Sequence, residues 1–144
     1  MSHTQNQLIE DGRAAEWLTS AIFAGLAVSF AMPGETMAVS SGFRGFVNLG
    51  ISDTLAASFL ASVATIRLAA LVINGRWRRS PHLRMGCAAF GAGVYAALGV
   101  TFAFPFLQGS GALSTAVTTY FVLSGFDILA SYRAARDAGR LEHH

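Results

Sequence analysis

The stretch Asp53–Arg84, DTLAASFLASVATIRLAALVINGRWRRSPHLR, decides the fold. Its first 21 residues carry one charge inside the apolar run, Arg67, and about 20 mostly apolar residues are what a helix needs to cross roughly 30 Å of hydrocarbon. Its last 11 residues hold Arg76, Arg78, Arg79 and Arg84, and short arginine-rich loops stay on the cytoplasmic side of a membrane. Working outward, residues 14–32, 85–107 and 112–132 have the same length and character as 53–73. The expected fold is therefore an all-α membrane protein, with four transmembrane helices in an antiparallel bundle.

The arginines set the expected topology. Besides the Asn74–Arg84 loop, the tail carries Arg133, Arg136 and Arg140, whereas the opposite side has only Arg44. Four spans then place both termini in the cytoplasm, in a bacterial inner membrane. Trp17, Trp77 and Tyr132 fall near the cytoplasmic ends, where amphipathic rings favour the interface. Gly34–Ser52 is the longest connection. Its mixed polarity, after Pro33 and Gly34 have ended the first helix, suggests a short interfacial helix, with Ser52 or Asp53 capping the second span.

Composition excludes several classes. Charged residues make up 12% of the 144, about half the share usual in soluble domains, and all ten basic residues are arginines, so the modest positive balance reflects where the loops sit more than a nucleic-acid surface. No nucleic-acid partner is indicated. One chain of this length forms one domain, residues 1–140, and residues 141–144 read as an expression-tag remnant. Cys87 is the single cysteine and His82 the single histidine away from the termini, so no metal-ligand spacing exists and no metal or cofactor is expected. No nucleophile elbow, phosphate loop or zinc-protease motif is present, and the protein reads as a non-enzyme with no catalytic residue.

Small residues mark the packing faces. Ala88, Ala92 and Ala96 recur every fourth residue in the third span with Ala89, Gly93 and Ala97 beside them, and Gly91 and Gly99 add a third row. Such spacing lets helix backbones approach closely where lipid supplies no hydrophobic drive. Ala57, Ala61, Thr65 and Ala69 make a similar row in the second span, so self-association is expected alongside the lipid bilayer as partner.

Arg67 and Asp127 are the two ionisable side chains well inside the spans. Each lies roughly 7 to 10 Å from the cytoplasmic helix ends at 1.5 Å per residue, so the two can meet. A structural salt bridge is the first reading, and the lining of an ion or proton path the second. Glu16 could join them, although an acid at the start of a first span also complements the helix dipole. On the other side Glu35, Arg44 and Asp53 form a sparse solvated set, or a mouth ring in an oligomer. The hydroxyls Ser58, Ser62 and Thr65, and Thr115, Thr118, Thr119, Ser124 and Ser131, are expected to bond their own carbonyls or a neighbouring helix. Arg76, Arg78, Arg79 and Arg84 are topogenic, or bind lipid heads.

RLAALVINGRWRRSPHLR (67–84) and DILASYRAARD (127–137) together resemble uncharacterised small four-span membrane proteins of phage and prophage genomes. That resemblance implies a phage-encoded inner-membrane protein with a holin-like, membrane-permeabilising role. The expected function is thus a homo-oligomeric pore. A small proton- or ion-coupled transporter, or a noncatalytic partner or exclusion protein binding another membrane protein, are the alternatives.

Overall fold

The computed structural model describes residues 3–76 and 81–141, and within them the chain is helical. Four long helices form the body: α1 (His3–Ala31), α4 (Asp53–Arg76), α5 (Pro81–Leu107) and α6 (Thr115–Leu141). Two short helices, α2 (Thr36–Val39) and α3 (Arg44–Asn48), flank a single 3₁₀ turn at Ser41–Phe43 and fill the connection between α1 and α4. Three of the long helices contain segments long and apolar enough to cross a membrane, at Ala14–Ala31, Asp53–Ile73 and Pro81–Leu107. The fourth, α6, has the length, but Asp127 and its threonines and serines dilute its apolar character.

The boundaries differ from those read off the apolar runs. α1 starts at His3, eleven residues before the apolar run, so Glu16 is in mid-helix and does not cap a first turn. α5 is described from Pro81, four residues before the apolar run, and proline is tolerated in a first helical turn because it needs no amide donor there. Pro105 sits inside the last turn of α5, where the missing amide costs one bond close to an end that stops anyway at Leu107. Ser110 then donates its amide and its hydroxyl back to the Pro105 carbonyl, both at 2.9 Å, which closes the turn towards α6. Arg78, Arg79, Trp77 and the residues Glu142–His144 lie outside the described residues, as does the side chain of Arg76.

α1 packs along α4 and α5 along α6, while α4 meets α5 over a shorter stretch. The buried stripe of α1, Glu16, Thr19, Ser20, Phe23, Ala27 and Phe30, keeps helical spacing and changes from polar to apolar along its length. Phe23 is fully buried and stacks on Tyr95 of α5 with ring centroids 4.2 Å apart. At the far end Phe30, Phe43 and Phe102 pack edge to face, so the α2–α3 connection folds over the bundle mouth. Gly42 lies beneath the Phe102 ring so closely that an added Cβ would overlap it.

Ser52 Oγ accepts the Leu55 amide at 3.3 Å and so caps α4. Asp53 has a different task from the cap or mouth ring expected of it. Its carboxylate accepts the Met37 amide at 3.0 Å and ties α2 to the start of α4. Glu35 is exposed in a left-handed conformation (φ 47°), just after Gly34 at φ 142°, which together reverse the chain after α1. Arg44 is exposed as well.

Candidate functional site

Arg67 is held by all four long helices. Its Nη1 and Nη2 donate to Asp127 Oδ2 and Oδ1 of α6 at 2.6 and 2.8 Å, a bidentate pair. Its Nη2 also donates to Thr19 Oγ1 of α1 at 2.8 Å, its Nε to Ser20 Oγ of α1 at 3.1 Å, and its Nη1 to the Cys87 carbonyl of α5 at 3.4 Å. A guanidinium has five N–H donors, and all five are used. Thr19 Oγ1 in turn donates a hydrogen bond to Asp127 Oδ1 at 2.9 Å. Arg67 is 4% exposed and Asp127 is fully buried.

Burial at this level is costly for an ion unless every polar atom finds a partner. Among the described residues no buried side-chain nitrogen or oxygen lacks one. Ser20 Oγ donates to the Glu16 carbonyl at 2.7 Å, and Tyr95 Oη donates to the Thr19 carbonyl at 2.6 Å. The guanidinium carbon lies 5.3 Å from the centroid of Phe23, whose other neighbour is Tyr95. Phe23 and Tyr95 thus floor the ion pair on the side facing the apolar half of the bundle. Gly91 makes room for it: a Cβ there would overlap Arg67 Nη1 and Asp127 Oδ2.

A second ion pair stands beside the first. Arg84 of α5 donates its Nε to Glu16 Oε2 at 3.1 Å and its Nη2 to Glu16 Oε1, and its Nη1 is 4.0 Å from Asp137 of α6. Arg84 is thereby a structural partner of three helices, beyond the topogenic or lipid-binding role expected of it. Glu16 is 5% exposed and carries this pair in place of the helix-dipole role.

The hydroxyls divide by helix. Ser58, Ser62 and Thr65 of α4 and Thr119 of α6 donate to the carbonyl one turn back, at 2.8 to 3.3 Å. Ser124 and Ser131 of α6 instead donate across to the Ala92 and Met85 carbonyls of α5 at 2.9 and 3.2 Å. The small rows divide too: Ala88, Gly91 and Ala92 are buried and Ala96 half-buried, while Ala89, Gly93 and Ala97 are exposed. Those last three line a groove of about 1150 Å³ between α4 and α5, whose opposite wall presents Thr54, Ser58 and Ser62. Among the described residues no charged side chain lines it.

Sequence reasoning did not single out Thr19, Ser20, Phe23 or Tyr95. The signal was present in α1, where Thr19 and Ser20 fall three and four residues after Glu16, on the stripe that continues to Phe23 and Ala27. Gly91 was grouped with the other small residues, since nothing local distinguishes a glycine beside a guanidinium from one beside an alkyl chain. No family model, curated protein or solved structure matches the chain. Among the described residues no group of three His, Cys, Asp or Glu side chains could hold a metal ion.

Proposed function

We propose that this is a four-span protein of a bacterial inner membrane, with both termini in the cytoplasm, which acts by self-association to permeabilise the membrane in the manner of a phage holin. α6 is the fourth span: its one deep charge is neutralised by Arg67, which lowers the cost of carrying Asp127 into hydrocarbon. The observation that carries the assembly reading is the open flank between α4 and α5. Gly93 has nothing within 4 Å of where a Cβ would stand, so a helix of a second copy can approach its backbone closely. Thr54, Ser58 and Ser62 would then face the seam between copies, and their hydroxyl oxygens retain acceptor capacity for water.

A path through the interior of a single copy is disfavoured. Arg67 has no donor left to exchange, and the Phe23–Tyr95 stack closes the space beside it. Ion passage is assigned to the seam between copies. A proton- or ion-coupled transporter is the second reading, favoured by the two buried carboxylates Glu16 and Asp127.

The test is the mass of the purified protein in detergent against its 15.2 kDa monomer, followed by release of ions and of a fluorescent dye from liposomes. Assembly with release of both, and loss of both in Gly93→Leu, is the expected result. A tight liposome holding well-folded protein would overturn it and leave the partner-binding reading. Ion flux from a monomer, abolished in Asp127→Asn, would favour the transporter.

A further inference from the structure

Between the two ion pairs lies a cavity of about 10 Å³, bounded by Glu16, Ser20, Arg67, Arg84 and Cys87 with alkyl side chains of α4 and α5 behind them. That volume is close to the smallest that holds one water, and a buried water needs two to four polar partners. The Glu16 carboxylate, Ser20 Oγ and the Arg84 guanidinium supply them. The inner pair, Arg67–Asp127, has side chains 5% and 1% exposed, whereas Arg84 is 16% exposed and its further partner Asp137 is 55% exposed. Burial therefore deepens from Asp137 through Arg84 and Glu16 to Arg67.

We propose that this cavity is a hydration site and that the Glu16–Arg84 pair is its lid, closing the Arg67–Asp127 pair from the solvent at the Asp137 end of the bundle. The lid joins α1 to α5 and leans on α6 through Asp137, so opening it requires the Arg84 side chain to release the Glu16 carboxylate and swing outward. One water then stands between solvent and Ser20, whose hydroxyl accepts from Arg67 Nε. The inner pair can stay intact while its surroundings hydrate. This inference rests on the geometry inside one copy and is independent of self-association.

Cys87 is the reporter, being the single cysteine of the chain and a wall of the cavity. Cys87 is half-buried, and a cationic methanethiosulfonate reagent reacts in water and is far larger than the closed cavity, so the change in its rate when Glu16 or Arg84 is altered reads lid opening. The protein is held in lipid nanodiscs, where both faces are accessible. Glu16→Gln and Arg84→Gln are expected to label about tenfold faster than the unmodified chain, corresponding to closure weakened by roughly 1.4 kcal/mol. The exchanged pair, Glu16→Arg with Arg84→Glu, returns the rate towards the starting value. Arg84→Lys keeps the charge but loses the fork that holds both carboxylate oxygens, and is expected to label faster as well. Single variants that retain helicity but label at the unmodified rate would overturn the lid. Acceleration that the exchanged pair does not reverse would overturn it too, since general loosening would then be the cause. Should both glutamine variants fail to fold, a lysine variant labelling at the unmodified rate overturns it alone.

Discussion

Gly91 and Arg67 occupy one space: a Cβ on Gly91 would overlap the Nη1 that bonds Asp127 and would stand 2.8 Å from the guanidinium carbon. The absence of a side chain on α5 is what lets α4 and α6 join their charges across it.

Glycine to alanine in a helix interior ordinarily stabilises by about 0.8–1 kcal/mol. At position 91 the sign should reverse, because the guanidinium is fixed by five bonds and overpacking costs about 1–3 kcal/mol. Gly93→Ala, with open space beside it, should keep the ordinary gain. Thermal unfolding in detergent, followed by helical circular dichroism, should move the two melting temperatures in opposite directions.

Removing one member of a buried ion pair costs about 3–5 kcal/mol because the other charge is left alone, whereas replacing both with apolar side chains is often neutral. Asp127→Leu should therefore be severely destabilised, and Arg67→Met with Asp127→Leu should recover most of the loss. A double variant no more stable than the single one would show that Thr19 and Ser20 need the guanidinium as much as Asp127 does.

Tyr95 and Phe23 should separate in effect. Tyr95→Phe keeps the 4.2 Å stack and loses one bond to the Thr19 carbonyl, a change of about 0.5–1.5 kcal/mol. Phe23→Ala opens a cavity in the most buried part of the bundle and removes the ring beside Arg67, at about 3–5 kcal/mol. Chemical denaturation of both variants in the same detergent compares them directly.

Asp53→Ala should free the connection without loosening the bundle. Its carboxylate holds the Met37 amide, and Ser52 still caps α4. Amide hydrogen exchange should rise at Thr36–Val39 while α5 and α6 keep their protection. Exchange rising throughout the four long helices would mean that the connection also holds the helices together.

Much of this architecture was legible in the chain. Arg67 and Asp127 stood out because charges are rare in apolar runs, and their similar distance from the arginine-rich ends placed them at one level. The back-bonded hydroxyls of α4 followed from their short reach to the preceding turn. Glu16 was misjudged because the helix containing it begins well before the apolar run, in a polar segment that hydropathy does not mark. Arg84 was hidden by its neighbours: among four closely spaced arginines, charge alone cannot single out one that turns inward. Ser52 or Asp53 was the expected cap of α4, and Ser52 is; the bond of Asp53 to an amide 16 residues earlier was not legible, since it depends on how the connection folds back.

Sixty residues separate the guanidinium of Arg67 from the carboxylate that neutralises it. During synthesis α4 is complete long before α6 exists, and until α6 arrives the guanidinium of Arg67 has the hydroxyls of α1 and the Cys87 carbonyl of α5 to meet it, but not the Asp127 carboxylate. α6 thus brings the carboxylate that neutralises the charge carried by the second long helix. A chain cut before Asp127 would leave that guanidinium without its carboxylate, so the balance of charge inside the bundle is complete only when α6 is in place.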